Sequence, residues 1–221
     1  MNLSHILVAA PTFMEIQAIA ALVQGLGPVR TLVTGVGPGA TAHRLTVYLM
    51  QHTDIRVVVL SGICGMYRGS DLSIGDVCIA TSEIYGDLGR CTGTGIEPIV
   101  LSEAQDGEER YFDLRPLWAS LLSEGELRSL SISPVPMATV SCASAHFSRA
   151  SELARSTAAQ AENMEGAAAA QTCLSFHVPL VEVRAVSNVA GEPDRERWEI
   201  GRALKRLSVA VASVMELLLE R

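Results

Sequence analysis

Short runs of apolar and β-branched residues alternate along the chain with longer stretches in which apolar residues recur at helical spacing. Residues 57–60 are continuously apolar, which is typical of a strand covered on both faces. The alternation predicts an α/β fold of layered helices and strands. Six strands are predicted, at residues 5–10, 29–34, 55–61, 76–80, 138–142 and 180–186. Six helices are predicted, at residues 15–22, 40–51, 114–122, 148–156, 165–176 and 195–219.

The remaining stretch of note, residues 86–110, is polar and rich in glycine, which predicts loops or an edge hairpin. The chain shows no repeat, low-complexity tract or linker. Its 221 residues, 48% of them hydrophobic, suit one compact core, so we predict a single domain over residues 1–221.

Charge and cysteine content narrow the class of protein. The net charge of −7 argues against a nucleic-acid surface, although a small anionic substrate needs only a locally basic site. The five cysteines form no C-x-x-C pair and lack the spacing of zinc ligands, which indicates buried thiols in a reducing compartment. The first apolar run stops at Pro11, and no run of eighteen apolar residues follows. We therefore predict a cytoplasmic protein without a signal peptide or membrane span.

A glycine-rich turn, Gly-Val-Gly-Pro-Gly-Ala at residues 35–40, follows the second predicted strand and opens a helix. It matches the dinucleotide fingerprint G-x-G-x-x-A, which also expects an acidic residue at the end of the next strand. That strand ends in Ser-Gly-Ile-Cys-Gly at residues 61–65, and Asp54 stands at its wrong end. We therefore favour a tight turn that brings backbone close to a ligand or a neighbouring loop, with NAD binding as the alternative.

Two segments stand at the carboxyl ends of predicted strands, where open α/β sheets bind ligands. Residues 61–65 include Gly62, Ile63 and Cys64, and their glycines would let backbone groups approach a flat ring; a plain strand-to-helix turn is the alternative. Glu15 follows the first strand in the first turn of a helix. It is either a surface carboxylate that complements the helix dipole or a catalytic carboxylate.

Charged residues also occur in strongly apolar surroundings. Glu165 opens a helix of small residues, so its carboxylate needs hydrogen-bond donors, and vicinal sugar hydroxyls are suitable ones. Arg184 lies inside an apolar strand and needs a carboxylate partner, either Glu15 or Glu165, in a catalytic or a purely structural ion pair. Asn188 follows that strand, either as an Asx-turn residue or as a ligand-binding amide.

The segment that leads into the last predicted helix is turn-rich and basic. Asp194 is a plausible N-cap, and Arg195 and Arg197 follow in what would be the first helical turn. Cations oppose the helix dipole there, so they favour a functional role such as binding an anionic ligand tail. The five histidines form no cluster and receive no role.

Together these motifs resemble those of the purine nucleoside phosphorylase/nucleosidase superfamily over nearly the whole chain. Any one motif is weak, but the set is specific. The motifs are Glu15 and the segments 34–37, 62–65, 74–77, 87–89, 163–168 and 184–188. The resemblance implies a three-layer α/β/α fold around a central mixed sheet, a homo-oligomer built on a dimer, and no metal or organic cofactor.

The resemblance also implies roles for residues. The water-activating Glu of the nucleosidases falls on Glu15, its Arg partner on Arg184, and the ribose-holding Met-Glu pair on Met164 and Glu165. The residue that stacks on the base is expected within residues 141–147. The group that protonates the leaving purine is left open.

Asn188 is a departure from the adenine-specific members, which carry Asp at this position. An amide can donate a hydrogen bond to a 6-oxo group, whereas a carboxylate only accepts. The sequence therefore predicts hydrolysis of the N-glycosidic bond of a 6-oxopurine nucleoside. Adenine-type nucleosidase activity, phosphorolysis and nucleoside binding without catalysis are the alternatives.

Overall fold

The computed structural model describes residues 5–23, 25–92, 95–97 and 110–221. The strands are β1 His5–Ala10, β2 Val29–Val33, β3 Ile55–Met66, β4 Val77–Tyr85, β5 Arg90–Thr92, β6 Gly95–Glu97, β7 Tyr111–Asp113, β8 Ile132–Thr139, β9 Ala161–Asn163 and β10 Leu180–Val189. The helices are α1 Phe13–Val23, α2 Pro38–Gln51, α3 Arg115–Trp118, α4 Glu124–Ser129, α5 Phe147–Thr157, α6 Gly166–Ser175 and α7 Ile200–Leu219. A 3-10 turn spans Arg195–Arg197.

In the described part of the chain, eight strands form one mixed sheet. Its order is β10-β4-β8-β9-β3-β1-β2, β7 pairs with β4, and β10 pairs also with β3. Strands β3, β10, β4, β8 and β9 therefore close into a ring, and β1 and β2 extend the sheet beyond it. The pairs β1–β2, β1–β3, β3–β10, β4–β8 and β8–β9 are parallel, and the pairs β4–β10, β3–β9 and β4–β7 are antiparallel.

Helices cover the sheet and bury its apolar residues. Helix α1 packs against α7, which lies over β3 and β10, while α2 packs against α6, which lies over β4 and β8. Residues 57–60 of β3 are at most 1% exposed, so the prediction of a strand covered on both faces is confirmed. The predicted three-layer α/β/α architecture with a mixed sheet is likewise confirmed.

Two strands continue well past their predicted ends. Strand β3 runs through Gly62 and Gly65 to Met66, so the alternative of a plain strand-to-helix turn at residues 61–65 is wrong. Strand β10 runs to Val189, which places Asn188 within the strand rather than after it. The two extensions pair with each other, from Arg184 beside Gly62 to Val189 beside Met66. This pairing provides hydrogen-bond partners for the backbone groups of both extensions.

Other boundaries differ because short elements lack a sequence period. Strands β7 and β9, three residues each, were not predicted, and β8 begins six residues before the predicted strand at 138–142. The predicted helix 114–122 is replaced by α3 and α4, and α4 begins at a capping box of Ser123 and Glu126. Within residues 86–110, β5 and β6 form a hairpin, while residues 93–94 and 98–109 lie outside the described residues.

The predicted helix 195–219 consists of two separate elements, a 3-10 turn and helix α7. Asp194 accepts a hydrogen bond from the backbone N–H of Glu196, so it caps the 3-10 turn rather than α7. Arg195 and Arg197 lie in that turn, and α7 begins at Ile200. These arginines do not occupy the first turn of a long helix. The helix dipole therefore gives no reason to assign them a functional role. Among the described residues, no helix is long and apolar enough to cross a membrane.

Candidate active site

A cavity of about 280 Å³ opens beside the carboxyl-terminal halves of β3 and β10 and the segment after β1. Seven of the residues singled out in the sequence line it: Glu15, Ile63, Cys64, Met164, Glu165, Asn188 and Arg195. Gly62, Arg184 and Arg197 are not among its lining residues. The structure thus brings residues from five separate segments of the chain to one cavity.

Glu15 is 4% exposed, so it is not a surface carboxylate. Its Oε2 accepts hydrogen bonds from the N–H of Thr12 (3.0 Å) and from the Thr12 hydroxyl (2.5 Å). Its Oε1 accepts from the N–H of Ile63 in β3 (3.0 Å). Donors on the chain therefore fix the carboxylate, and Oε1, which accepts one hydrogen bond from the chain, retains an acceptor position toward the cavity.

Glu165 stands immediately before α6 and is 3% exposed. Its Oε1 accepts from the N–H of Gly37 (3.1 Å) and its Oε2 from Nη1 of Arg184 (3.1 Å). The glycine-rich turn at 35–40 therefore serves a neighbouring carboxylate. This contact agrees with the tight-turn interpretation and uses the N–H of Gly37 that a bound pyrophosphate would need.

Arg184 is fully buried and binds Glu165 and Glu182, the latter through Nε to Oε1 (2.9 Å). Of the two partners that the sequence left open, Glu165 forms the ion pair. The resemblance made Arg184 the partner of Glu15, but the hydrogen bonds that position Glu15 come from Thr12 and Ile63. Burial alone would lower the pKa of Arg184, but the charges of Glu182 and Glu165 raise it, so the guanidinium is permanently cationic.

A further layer of buried polar groups lies behind this ion pair. The Asn163 Oδ1 accepts from the N–H groups of Glu165 (2.8 Å) and Gly166 (2.7 Å) and from Nη2 of Arg184 (3.2 Å). Its amide nitrogen donates to Oε1 of Glu83 (2.5 Å), whose Oε2 accepts from Thr139 (2.7 Å). These contacts fix the start of α6 and therefore the position of Glu165.

Glu83 and Glu182 form a carboxyl pair at the base of this network, and both are fully buried. Burial and the charge of Glu182 raise the pKa of Glu83 well above its ordinary value. Burial also raises the pKa of Glu182, but Arg184 opposes that rise. Burial and mutual repulsion disfavour two charges on these neighbouring carboxyls, so we infer that the pair holds one proton. Because Arg184 contacts Glu182, we assign the proton to Glu83 and the negative charge to Glu182.

Two glycines make this packing fit. A Cβ added to Gly62 would stand 2.6 Å from Nη1 of Arg184 and 3.0 Å from Oε1 of Glu15. A Cβ on Gly166 would collide with Oε1 of Glu83 and lie 2.6 Å from Oε1 of Glu182. Gly62 therefore contributes through the space it leaves for Arg184 and Glu15.

Asn188 lies at the other end of the cavity and is 6% exposed. Its Nδ2 donates to the carbonyl of Val189 (3.1 Å), and its Oδ1 lies 2.8 Å from the Ser187 hydroxyl. A carbonyl accepts only, so Val189 fixes which side of the amide carries the nitrogen. One N–H of that nitrogen is left for a ligand.

Glu162 and Ser144 also line the cavity, and the sequence analysis missed both. Oε1 of Glu162 accepts from the N–H of Ser144 (2.8 Å), and its Oε2 accepts from the Ser144 hydroxyl (2.7 Å). Glu162, Glu182 and Glu83 share a signal that could have found them. Each is a charged residue that lies among buried residues of its own segment, and Arg184 is placed in the same way.

Arg195 and Arg197 of the 3-10 turn have different surroundings. Arg195 lines the cavity, with its guanidinium 5.2 Å from the ring centroid of Trp198. The side chain of Arg197 is 71% exposed and lies within 3.6 Å of Glu192 and 3.5 Å of Asp194. Among the described residues, Trp198 is the aromatic side chain that lines the cavity. Residues 141–147 contribute only Ala143 and Ser144, and Phe147 instead lies under the guanidinium of Arg68.

Comparison with known proteins identifies the class. The model of the phosphorylase superfamily matches residues 12–220, so the chain belongs to that superfamily, as its motifs predicted. The described residues contain no group of three side chains placed to hold a metal ion.

Relatives within the superfamily are more specific. The chain is 35% identical to the futalosine hydrolase of Thermus thermophilus over 83% of its length and 80% of that protein. It is 30% identical to the futalosine hydrolase of Streptomyces coelicolor, over 85% of the chain and 78% of that protein. The motifs of the sequence, with residues 194–198 added, resemble futalosine hydrolase in the same way.

Solved structures share the fold at lower identity. A methylthioadenosine/S-adenosylhomocysteine nucleosidase of Helicobacter pylori superposes with a TM-score of 0.78 at 18% identity, over 97% of this chain and 98% of that one. The futalosine hydrolase of Helicobacter pylori gives a TM-score of 0.77 at 17% identity, over 96% and 97%.

Proposed function

We propose that the chain hydrolyses the N-glycosidic bond of futalosine to hypoxanthine and dehypoxanthinyl futalosine, a step of menaquinone biosynthesis. The proposal is supported by three futalosine hydrolases that are 30–35% identical to it. The observation that carries it is one cavity with two buried carboxylates at one end and an oriented amide donor at the other. We propose that the enzyme acts in the cytoplasm as a single-domain homo-oligomer without a cofactor.

Glu15 acts as the general base. Its carboxylate takes a proton from a water molecule while the water oxygen bonds to the anomeric carbon of the ribose. The C–N bond breaks, and its electron pair leaves with the purine. The purine takes up one proton from solvent to become hypoxanthine, and Glu15 returns its proton to solvent. Thr12 and Ile63 hold the carboxylate without neutralising it, so its acceptor capacity is directed at the water.

Glu165 binds the vicinal hydroxyls of the ribose. Each of its oxygens receives one hydrogen bond from the chain, which leaves acceptor positions for two sugar hydroxyls. The cation of Arg184 pairs with the carboxylate and holds it in place. Its negative charge then stabilises the positive charge that develops on the ribosyl group as the bond breaks.

Asn188 binds the purine as it leaves. The free N–H of its amide donates to the 6-oxo group or to N7, where negative charge accumulates. An adenine ring presents an amino donor at the 6-position and would face this N–H unfavourably.

The alternatives have less support. One relative, 28% identical, is a methylthioadenosine/S-adenosylhomocysteine nucleosidase, but the Asn188 amide favours a 6-oxo base. A phosphate for phosphorolysis would stand between the carboxylates of Glu15 and Glu165, and Arg184 is already bound to two carboxylates. Binding without catalysis would not require the positioned base Glu15.

The test is a substrate panel. Futalosine, inosine, aminodeoxyfutalosine and methylthioadenosine are each incubated with the enzyme, with and without phosphate, and the products are separated by chromatography. We expect phosphate-independent release of hypoxanthine, fastest from futalosine. Preferential release of adenine would favour the second function, and a product phosphorylated at the anomeric carbon would establish phosphorolysis.

A further inference from the structure

A second cavity, of about 380 Å³, lies between helix α5 and the turn that follows β3. Among the described residues, it shares no lining residue with the active-site cavity. The turn contributes Arg68, Ser70 and Asp71 to its walls, and the helix contributes Ser151 and Arg155. Charged and hydroxyl side chains therefore surround a space that the proposed reaction does not use.

Arg68 supplies one cation in a fixed position. Its guanidinium stands 3.3 Å from the ring centroid of Phe147, the first residue of α5. It forms no ion pair within the described part of the chain. A guanidinium stacked on an aromatic ring keeps the N–H donors around its edge available. Arg68 is therefore held in place and can still bind an anion through two parallel hydrogen bonds.

Arg155, in the last turn of α5, supplies a second cation. Among the described residues, no carboxylate pairs with it. Asp71 is the single carboxylate that lines this cavity, and it pairs with neither arginine. The cavity thus holds two cations and one anion on a chain whose net charge is −7. A concave site with an excess of positive charge attracts anions.

Buried polar atoms beside the cavity also lack partners. Ser70 and Gln160 both line it, and within the described structure neither Oγ of Ser70 nor Oε1 of Gln160 has a hydrogen-bond partner. Buried polar atoms in folded proteins are nearly always hydrogen-bonded. The partners of these two atoms are therefore to be sought in the cavity that both residues line.

These groups together match a phosphate monoester that carries hydroxyl groups. Such a monoester has a charge of about −1.5 to −2 at neutral pH and three acceptor oxygens, which suits two guanidinium groups. A carboxylate would neutralise only one of them. The carboxylate of Asp71 and the amide oxygen of Gln160 accept hydrogen bonds, so they require hydroxyl donors on the ligand.

We propose that this cavity binds a hydroxylated phosphate monoester, with Arg68 and Arg155 on the phosphate and Asp71 and Gln160 on the hydroxyl groups. Tyr67 separates the ligand from the reacting groups. It is 1% exposed, lines this cavity, and interacts with Glu162, which lines the active-site cavity. The bound molecule is therefore a ligand of a separate site and not a reactant in the hydrolysis.

The experiment measures binding of glycerol 3-phosphate, inorganic phosphate, glycerate and glycerol to the full chain by calorimetry. We expect glycerol 3-phosphate to bind most tightly, inorganic phosphate and glycerate more weakly, and glycerol not at all. In Arg68→Met and in Arg155→Met the dissociation constant of glycerol 3-phosphate should rise about 10-fold or more. Arg128→Met, which replaces an exposed arginine of α4, is the matched control and should bind like the wild type.

A third variant tests the hydroxyl contacts. Asp71→Ala removes an acceptor and a negative charge, so inorganic phosphate should bind at least as tightly as before while glycerol 3-phosphate loses part of its advantage over it. The rate of futalosine hydrolysis should stay constant in all these variants.

Several results would overturn the inference. They are no binding of glycerol 3-phosphate to the wild type, unchanged binding in both arginine variants, tighter binding of glycerate than of glycerol 3-phosphate, or loss of hydrolysis in parallel with loss of binding. Failure of the proposed function is a separate result, because then futalosine is not hydrolysed while the four ligands still bind in the expected order.

Discussion

The two ends of the cavity differ in how their polar side chains are held in place. At the end that holds Glu165, Arg184 and the buried pair Glu83 and Glu182 form one network in which every group depends on its neighbours. At the other end, Asn188 and Glu162 are each held by one or two nearby residues. Substitutions in the network should therefore change stability and activity together, whereas substitutions at the base end should change which ligand binds.

Glu15→Gln tests the comparison most sharply, because Glu15 is at the reacting end but outside the network of Arg184. The change removes the base and keeps the shape and one acceptor for the donors of Thr12 and Ile63. We expect kcat to fall by about 10²-fold or more. The measurement is steady-state hydrolysis together with chemical denaturation. Because the new amide nitrogen must face the N–H of Thr12 or Ile63, the free energy of unfolding should fall by about 1–3 kcal/mol, which leaves the variant folded in the assay. Near-normal turnover would remove Glu15 from the mechanism.

Arg184→Met should break the network itself. It leaves Glu182 and Glu165 buried without their cation, so we expect the free energy of unfolding to fall by about 3–5 kcal/mol. Arg197→Met is the matched control, because its ion pairs are exposed and should contribute less than about 1 kcal/mol. Denaturant titration of both variants gives the comparison. Equal losses of unfolding free energy in the two variants would show that the buried ion pairs stabilise the fold no more than the exposed ones do.

Asn188→Asp should lower activity on futalosine and raise activity on its 6-amino analogue, aminodeoxyfutalosine. A carboxylate accepts from a 6-amino group and repels a 6-oxo group. One reversed hydrogen bond is worth about 1–3 kcal/mol, so the ratio of kcat/KM for futalosine to that for aminodeoxyfutalosine should fall roughly 10- to 100-fold. An unchanged ratio would show that Asn188 does not contact the base.

Glu83→Gln should have an effect that depends on pH. The raised pKa of Glu83 means that its stabilising contribution is complete below the unfolded value of 4.5 and is lost as the pH rises through the folded value. Glutamine cannot ionise and can still donate to Glu182. We expect a difference of less than about 1 kcal/mol from the wild type near pH 5 and a relative gain for the variant near pH 9. A variant that is equally destabilised at both values would place the proton elsewhere.

Arg195→Ala should give the smallest and most selective effect. Futalosine carries a carboxylate on its acyl arm, and Arg195 stands at the cavity mouth. We expect a lower kcat/KM for futalosine and little change for inosine, which lacks the arm. Arg197→Ala, whose side chain is turned toward Glu192 and Asp194, serves as the control. Equal losses for both substrates would assign Arg195 a structural role.

The sequence predicted what depends on local pattern. The apolar run at 57–60 identified β3, and the isolated charges Glu165 and Arg184 in apolar surroundings identified a buried ion pair. It did not predict that Thr12 and Ile63 position Glu15, because that contact depends on how β1 and β3 lie side by side.

The base end was harder to predict for the same reason. Glu162 lines the cavity because β9 pairs with β3 beside Gly65, and β9 is too short to show a period in the sequence. The extension of β3 beyond the glycines likewise required the partner strand β10.

The closed ring of strands has a consequence for folding. Strand β3 is flanked by β9 and β10, which lie about a hundred residues further along the chain, as in the pairing of Val58 with Leu180. Contacts of such sequence separation form slowly, because a long loop must be ordered first. During synthesis β3 emerges after its partner β1 but long before β9 and β10, so the edge that they cover is exposed with its backbone unpaired. The cavity is thus completed only at the last stage of folding, when β10 brings Arg184 to Glu165 and Asn188 to Gly65.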